Sequence, residues 1–369
     1  MKFEELQYLS WAKSLPRMNI NLARSGIDHC PASLLGLRAA DLVTTLPVRY
    51  GYGPLLEAIA RRYAVANGQV LTLSGGTSFA NYVACAAALD GCGPRTEVIV
   101  ERPTYEPLLK IPRALGHRVR RLERRFREQY AIDLDRFSSL ITARTRLAIV
   151  TNLHNPSGMR IPMATLRQMA RLLERVGAFL LVDEVYLECL FRRRPESCIH
   201  AGPNVLVTNS LTKAYGLDGL RAGWILGPRP LIQRARQIND YMTNNGVAPG
   251  EQMALAAFHH LRAIDRRAHG ILDGNLGRVR RYFDRERRLQ AHMPEGGNVI
   301  FPRLRSGADA GQLVRRLAAR YSTAVVPGSM FEAPEHIRVS FGCAAARLER
   351  GLRNISLALD ESGSEPPFG

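Results

Sequence analysis

The chain has 369 residues, of which 46% are hydrophobic and 23% are charged. This balance is typical of a globular protein that is long enough for two domains. The formal net charge of +18 is compatible with a nucleic-acid partner. However, arginine-rich runs such as those at 118–128 and 278–288 alternate with acidic and apolar residues, as solvated helix faces do.

The N-terminal segment and the cysteines exclude several protein classes. Residues 1–19 are amphipathic and lack the apolar core of a signal peptide, and no stretch reaches the roughly 18 apolar residues of a membrane span. The six cysteines form no CxxC pair and no cluster with histidine. We therefore expect a cytoplasmic protein with reduced, buried thiols, no metal site, no membrane partner and no nucleic-acid partner.

The first segment with a clear pattern is RYGYGPLLEAIARRY at 49–63. It predicts an amphipathic helix that Pro54 can start. Tyr52 lies between two glycines directly before this helix. Considered alone, Tyr52 is a loop aromatic with a structural role.

Six short apolar runs then alternate with helical patterns such as 162–177, and they predict the strands 70–75, 96–102, 146–152, 178–184, 204–210 and 222–227. Apolar strands separated by helices indicate a mostly parallel sheet covered on both faces. The chemistry of such sheets lies at the carboxyl ends of the strands. Polar or unusual residues occupy those ends here, namely Gly76, Thr77, Tyr105, Asn155, Asp183, Ser210 and Lys213.

The segment LSGGTSFANYVACAAAL at 73–89 runs from a strand through glycines into an apolar helix. Free backbone N–H groups and the positive helix end would favour an anion there. The spacing matches neither GxGxxG nor a P-loop. An ordinary strand-to-helix turn remains the alternative.

Two further strand ends carry polar candidates. Asp183 and Glu184 follow an almost wholly apolar strand, where an acid either caps the following turn or is held ionised by a cation. Asn152, His154 and Asn155 lie in the turn-rich segment VTNLHNPSG. Any one asparagine there can simply be a turn residue.

Lysine is rare in this chain, with only Lys2, Lys13, Lys110 and Lys213 among 51 basic residues. Lys213 lies in TNSLTKAYGLDGLRAGW, among small polar residues and glycines, eight positions before Arg221. A surface cation could equally be arginine, so this lysine indicates an amine that loses its proton and reacts.

The C-terminal part predicts a smaller α/β unit. We expect one long helix from about 229 to 268, an extended segment at 297–304, a helix at 307–321 and a strand at 336–342. The tail 361–369 is expected to be frayed.

Together these residues meet the needs of pyridoxal phosphate. Lys213 is the amine, Asp183 can keep the pyridine nitrogen protonated, and Arg221 with the amides after residue 75 can hold the phosphate. The sequence resembles the class I/II aminotransferases, the fold-type I pyridoxal phosphate enzymes. The matching segments occur in the family's order and are GYGPLLEAIA, SGGTSFA, ERPTYEP, TNLHNPSG, LLVDEVY, NSLTKAYGLDGLRAGW and IRVSFG.

The resemblance implies the fold and the domains. The fold is α/β, with a large domain whose mostly parallel seven-stranded sheet lies between helices, plus a smaller α/β domain. Residues 1–44 would form an N-terminal arm and part of the small domain, 45–250 the large domain, and 251–369 the small C-terminal domain. The active form would be a homodimer.

The resemblance also implies a role for each matching residue. Lys213 would bind the cofactor covalently and move the substrate proton. Asp183 would pair with the pyridinium nitrogen, and Asn155 and Tyr186 would bind the phenolate oxygen. Arg338 would hold the substrate carboxylate, with Asn155 and the loop at Gly26 beside it. The remaining cofactor contacts would be the stacking ring of Tyr105, the phosphate ligands Gly76, Thr77, Ser78, Ser210, Thr212 and Arg221, and Tyr52 from the neighbouring subunit.

The sequence departs from the family pattern in three places. Asp218 replaces the usual small residue or proline, the segment around DHCPASLLG matches poorly, and no second arginine for a substrate side chain can be assigned.

We expect ping-pong transfer of an amino group from an amino acid to a 2-oxo acid. The same residues serve C–S lyases, decarboxylases and amino-acid cyclases. A DNA-binding regulator is the alternative of another class, but the 45 or so residues before the first motif are too few for its added domain.

Overall fold

The structure is a computed structural model that describes residues 2–46, 50–191, 193 and 195–361. The tail that was expected to be frayed lies outside this part from residue 362 onward. The chain begins with helix α1 (Gln7–Ser14), the short strand β1 (Ile20–Asn21) and helix α2 (Gly53–Tyr63).

Seven strands form the central sheet in the order β2-β8-β7-β6-β5-β3-β4. They are β2 (Val70–Leu73), β3 (Glu97–Arg102), β4 (Arg118–Glu123), β5 (Thr145–Thr151), β6 (Phe179–Asp183), β7 (Val205–Ser210) and β8 (Gly223–Leu226). Strand β8 is antiparallel to its neighbours β2 and β7, and the other pairs are parallel. The mostly parallel seven-stranded sheet is confirmed, and each of the six predicted strands belongs to it.

Both faces of this sheet are buried. Ile99, Ala148 and Val150 belong to one apolar cluster, while their neighbours Val98 and Ile149 belong to another. Successive side chains of a strand point to opposite faces, so each cluster fills one side. The helices that follow these strands in the chain are α3 (Gly76–Leu89), α4 (Glu106–Ala114), α5 (Leu134–Leu140), α6 (Met163–Glu174) and α7 (Arg229–Asp240). Helices α3 and α7 contribute to one cluster, and α2 and α6 contribute to the other.

The C-terminal part combines four helices with short strands. It contains α8 (Ala248–His259), α9 (Leu261–Arg285), β9 (Leu289–Gln290), β10 (Val299–Ile300), β11 (Arg303–Leu304), α10 (Gly311–Tyr321), β12 (Thr323–Ala324), β13 (Val326–Pro327), β14 (Ile337–Ser340) and α11 (Ala345–Asp360). Strand β14 pairs with β10 and β13. Strand β1 pairs in parallel with β12, Ile20 opposite Thr323, so the N-terminal segment joins this part of the chain. The domain boundaries at 45 and 250 stay predictions.

The single helix expected at 229–268 is wrong. The structure has α7, α8 and the start of α9 there. The break after α7 falls on TNNGVAPG at 243–250, where asparagine and glycine favour turns and Pro249 can only start a helix. The periodic apolar residues on both sides hid this break.

The solvated helix face expected at 118–128 is also wrong, because residues 118–123 form the edge strand β4. Its backbone pairs along its whole length with β3. Arg121 donates from Nη2 to the Glu101 carbonyl at 2.8 Å, so its side chain lies back along the sheet. Alternating basic and apolar residues suit an edge strand as well as a helix face.

The cysteines and the helices bear on the expected type of protein. All six cysteines are free thiols, and all of them except the partly exposed Cys92 are buried. Among the described helices, none combines the length and the apolar character needed to cross a bilayer.

Candidate active site

A cavity opens at the carboxyl ends of the parallel strands β5, β6 and β7. Its lining includes the predicted residues Thr77, Ser78, Tyr105, Asn155, Asp183, Tyr186, Thr212, Lys213, Arg221 and Arg338. It also includes side chains that the sequence did not single out, namely Tyr8, Ser25, Asn81, Thr151 and Val185. Three predicted residues lie next to this lining: Gly76 beside Arg221, Gly26 beside Lys213, and Ser210, which accepts from Thr77. Tyr52 is not part of the lining in the single chain.

Asp183 ends β6 and is almost completely buried. One carboxylate oxygen accepts a hydrogen bond from Asn81 Nδ2 at 2.8 Å, and the other accepts one from the Val185 amide at 3.0 Å. Burial raises the pKa of Asp183 to about 6, because a charged carboxylate is disfavoured away from water. A cation placed beside Asp183 would therefore be bound strongly.

Helix α3 holds this acid in place through two polar residues one turn apart. Thr77 donates to Ser210 Oγ at 2.7 Å, and Asn81 accepts from Thr208 Oγ1 at 2.6 Å. Residues four apart share a helix face, and residues two apart share a strand face. The role of Asn81 was missed, although its polar side chain four residues after Thr77, in an otherwise alanine-rich helix, was a usable signal.

The N-terminus of α3 and the loop before β8 form an anion site. Gly76 has a φ of +67°, and a Cβ there would lie only 3.0 Å from Arg221 Nη2, so a side chain would crowd the site. Arg221, itself at a φ of +53°, donates from Nη2 to the Gly75 carbonyl at 2.7 Å. Thr212 Oγ1 is buried and has no hydrogen-bond partner among the described residues.

These groups fit a phosphate. The Gly76 amide already donates to the Arg221 carbonyl at 2.8 Å, so the amides that follow it in the first turn of α3 are the ones left for an anion, together with Arg221. The buried Thr212 hydroxyl without a partner calls for an acceptor or donor as well. Ser210 also accepts from the Thr212 amide at 3.2 Å, which fixes the backbone of the loop that leads to Lys213.

Lys213 points its amine into the cavity, where Nζ donates to Ser25 Oγ at 2.7 Å. Burial lowers the pKa of Lys213 below its usual range. The N-terminal segment packs against it, since the Ile27 amide donates to the Lys213 carbonyl at 3.2 Å. A Cβ at Gly26 would be 3.9 Å from Lys213 Cα. The amine is thus partly shielded from water and more easily deprotonated than a surface lysine.

Arg338 lies on β14 at the other end of the cavity and is buried. It donates from Nη1 to Asn155 Oδ1 at 3.0 Å and from Nη2 to the Tyr8 hydroxyl at 2.8 Å. Tyr186 donates its hydroxyl proton to the Ser25 carbonyl at 2.8 Å. Tyr8 was missed because its segment carries no motif. Ser25 was missed although it directly precedes Gly26, which the sequence had placed on the substrate side.

A buried ion pair supports the backbone at Asn155. The Asn155 backbone N–H donates to Thr151 Oγ1 at 2.9 Å, and Thr151 Oγ1 donates to Glu101 Oε1 at 2.6 Å. Glu101 pairs with Arg124 at 2.7 Å, and neither side chain is exposed. This chain of contacts holds the turn at 152–158 against the sheet.

Tyr52 immediately precedes α2, and its amide donates to Glu251 Oε2 at 3.1 Å. Its position outside the cavity of its own chain is what a role at the neighbouring subunit requires. That role stays a prediction.

Comparison with known proteins identifies the family. The model of the family "Aminotransferase class I and II" matches residues 32–355. The chain belongs to this family. Capreomycidine synthase of Streptomyces vinaceus is 33% identical over 88% of this chain and 83% of its own length. The arginine–pyruvate transaminase AruH of Pseudomonas aeruginosa is 26% identical over 84% of this chain and 81% of its own length.

The fold agrees with this assignment. The solved structure of the pyridoxal-phosphate-dependent cyclase OrfR superposes with a TM-score of 0.87 at 26% identity, covering 98% of both chains. The predicted fold-type I architecture is thereby confirmed. Class I and II aminotransferases depend on pyridoxal phosphate, and the predicted cofactor is confirmed at the level of the family.

Proposed function

We propose that this chain is an aminotransferase that moves an amino group from an amino acid to a 2-oxo acid by a ping-pong mechanism. The observation that carries the proposal is one cavity lined by a lysine of lowered pKa, a buried arginine and a buried acid, namely Lys213, Arg338 and Asp183. Pyridoxal phosphate, when bound, supplies an aldehyde for the amino group and a ring that accepts electrons.

Different side chains of the cavity would hold different parts of the cofactor. Arg221, Thr212 and the amides of α3 that follow Gly76 would bind the phosphate. Asp183 would hold the proton on the ring nitrogen, since a buried carboxylate favours a neighbouring positive charge. Asn155 and Tyr186 line the cavity and would donate hydrogen bonds to the phenolate oxygen. Tyr105 would lie against the ring.

Arg338 and Lys213 would handle the substrate. The planar guanidinium of Arg338 suits bidentate binding of a carboxylate, and its position is fixed by Asn155. Lys213 Nζ would take the proton from the substrate Cα, a step that its lowered pKa favours. Cα would then lie between these two side chains.

The test is a donor screen with purified protein loaded with pyridoxal phosphate. An aminotransferase mixed with its amino acid alone should release about one 2-oxo acid per site and stop, because the amino group stays on the enzyme. Adding an acceptor 2-oxo acid should restart release. Continued turnover without an acceptor would contradict aminotransfer.

A cyclisation reaction is the second candidate. It is supported by the likeness to the cyclase OrfR at 26% identity and by the 33% identity to capreomycidine synthase. A cyclase would consume its amino acid over many turnovers without acceptor and without releasing a 2-oxo acid. Mass measurement of the product separates this outcome from C–S cleavage or decarboxylation, which change the mass in other ways.

The proposal includes a homodimer. Several large apolar side chains are exposed, among them Val43, Tyr50 and Val247 on segments that adjoin Tyr52 or the start of α8. The Val43 amide donates to Gln252, just as the Tyr52 amide donates to Glu251, so these two segments meet at the start of α8. Exposed apolar groups of this kind favour a protein contact. The cytoplasmic location stays a prediction.

A further inference from the structure

We infer that Tyr8 is a substrate-binding residue whose phenol donates a hydrogen bond to the α-carboxylate held by Arg338. The inference rests on the proposed function, because it assigns a second donor to the carboxylate position of that site. It concerns a residue of helix α1 that carries no sequence motif.

Helix α1 is fixed in place by the helix that begins after Tyr105. The amides of Gln7 and Tyr8 donate to the two carboxylate oxygens of Glu106 at 3.1 and 2.7 Å. Lys110 lies 3.3 Å from the same carboxylate and donates to the Glu5 carbonyl at 2.8 Å. A carboxylate on the first free amides of a helix stabilises that helix end, so the docking of α1 sets the position of Tyr8.

Tyr8 is 6% exposed, and its ring is enclosed by partners. The Arg338 guanidinium carbon lies 5.4 Å from the ring centre. Tyr105 meets the ring edge-on at 5.6 Å, and Phe331 packs at 5.8 Å. The phenol therefore has a fixed direction, which is a requirement for a binding residue.

The phenol oxygen accepts from Arg338, so its own proton is left for another partner. Nη2 of Arg338 is 2.8 Å away, and guanidinium can only donate. The other neighbour that interacts with the phenol by a side-chain hydrogen bond is the Ser25 hydroxyl, and Ser25 Oγ already accepts from Lys213. A carboxylate that arrives at Arg338 would supply a stronger, charged acceptor for the phenol proton.

The phenol also lies in the region that the substrate must enter. Burial alone would raise the pKa of Tyr8, but the positive charges of Arg338 and Lys213 lower it below its usual range. Tyr8, Ser25, Lys213 and Arg338 line the same cavity, with the phenol 2.8 Å from Arg338 Nη2 and Ser25 Oγ 2.7 Å from Lys213 Nζ. A substrate with its carboxylate on Arg338 and its Cα proton towards Lys213 must pass directly beside Tyr8.

A different role for Tyr8 predicts the opposite effect on carboxylate binding. If the phenol merely occupies the guanidinium until a carboxylate displaces it, removing the hydroxyl would strengthen carboxylate binding. If the phenol donates to the carboxylate, removing it weakens binding, because a hydrogen bond to a charged group is lost.

The experiment uses holoenzyme and two matched ligands. 2-Methylalanine has no Cα proton to lose, and isopropylamine is the same amine without the carboxylate. Each is titrated while the cofactor absorbance is followed, in wild type, Tyr8→Phe and the control Tyr130→Phe. Tyr130 is also buried, but its hydroxyl contacts His336 at 3.0 Å, outside the cavity.

We expect Tyr8→Phe to raise the dissociation constant of 2-methylalanine about tenfold or more, with isopropylamine unchanged. Tyr130→Phe should change neither. Tyr8→Met, which fills the space without a ring, should show the same selective loss. An unchanged or lower constant for 2-methylalanine in the Tyr8 variants would overturn the inference. A wild-type protein that binds no cofactor, or whose cofactor responds to no amino acid, would instead overturn the proposed function and the inference with it.

Discussion

The cofactor end of the cavity (Gly76, Thr77, Asp183, Thr212 and Arg221) is built from segments that are neighbours in one sheet, whereas the carboxylate end (Tyr8, Asn155 and Arg338) joins segments far apart in the chain. At the cofactor end, α3 is tied directly to β7 and to the end of β6. At the carboxylate end, the first helix meets the last strand of the chain.

This difference has a physical consequence. The hydrogen bonds that hold the cofactor end lie within the buried sheet and the helix packed on it. They form when the core folds, so the geometry of the cofactor end does not require bound substrate. The carboxylate end needs α1 to dock through Glu106 and the N-terminal segment to pair with β12. We expect changes at the cofactor end to alter cofactor retention and chemistry, and changes at the carboxylate end to alter the use of substrate.

The largest effect is expected from Lys213→Ala. Turnover should be lost, because no other described amine reaches the cavity, while the phosphate groups should still hold the cofactor without a covalent bond. Borohydride reduction of wild type, followed by peptide mass analysis, should find the label on Lys213. A label on Lys110, which pairs with Glu106 and Glu4, would refute the assignment.

Asp183→Asn keeps the shape of the acid and removes its charge. We expect activity to fall by about 10² or more, comparable with the loss of one preorganised electrostatic contact. Near-normal activity would exclude the proposed role of Asp183.

The raised pKa of Asp183 adds a pH test. Without cofactor the carboxylate becomes neutral as the pH falls through about 6, and a neutral acid no longer attracts a pyridinium. Cofactor affinity of wild type should therefore decrease from pH 8 to pH 5. Asp183→Asn, measured in parallel, should lack that part of the decrease, and equal pH dependence in both proteins would contradict the charge pair.

Arg338→Ala removes the guanidinium at the carboxylate end of the cavity. The cofactor absorbance should stay as in wild type, while the KM for amino acids rises by about 10-fold to 100-fold through loss of a charged contact. Steady-state kinetics with an amino acid and with an amine that lacks a carboxylate give the comparison. If the amine loses as much activity as the amino acid, the carboxylate contact is wrong.

The same contrast explains what the sequence could predict. Strands β2, β3, β5, β6, β7 and β8 are apolar runs. Asp183 and Lys213 stand at or shortly after the ends of such runs, and Arg221 stands just before one, so their positions follow from local pattern. Tyr8 reaches the cavity because α1 docks on Glu106, almost 100 residues away in the chain, and the segment that carries Ser25 follows β1, which pairs with β12 about 300 residues away. No local pattern encodes either of these contacts. Asn81 is the intermediate case, since its helix was predicted but not the strand residue that it faces.

Helix boundaries failed for a related reason. The run expected as one helix at 229–268 has helical periodicity on both sides of its break, and the break depends on a few turn residues. Strand β4 was missed because pairing with β3 outweighs the polar character of its side chains.

Tyr52 tests whether the cofactor end is complete within one chain. In the single chain its side chain stays outside the cavity, and its amide is held by Glu251. If its hydroxyl reaches the phosphate of the neighbouring subunit, Tyr52→Phe should raise the cofactor dissociation constant about tenfold, the effect of one hydrogen bond to a charged group. Equilibrium dialysis of the cofactor measures this change.

A mixing experiment then decides where the hydroxyl acts. A dimer of one Tyr52→Phe chain and one Lys213→Ala chain has one site with both lesions and one with neither, provided that Tyr52 acts across the two-fold interface. Mixing the two proteins at a cofactor concentration too low for Tyr52→Phe should therefore restore activity. If Tyr52 acts within its own chain, each site of the mixed dimer carries one lesion and no activity returns after verified subunit exchange. The cofactor end would then be built entirely from one chain, and Tyr52 would give no support to the proposed dimer.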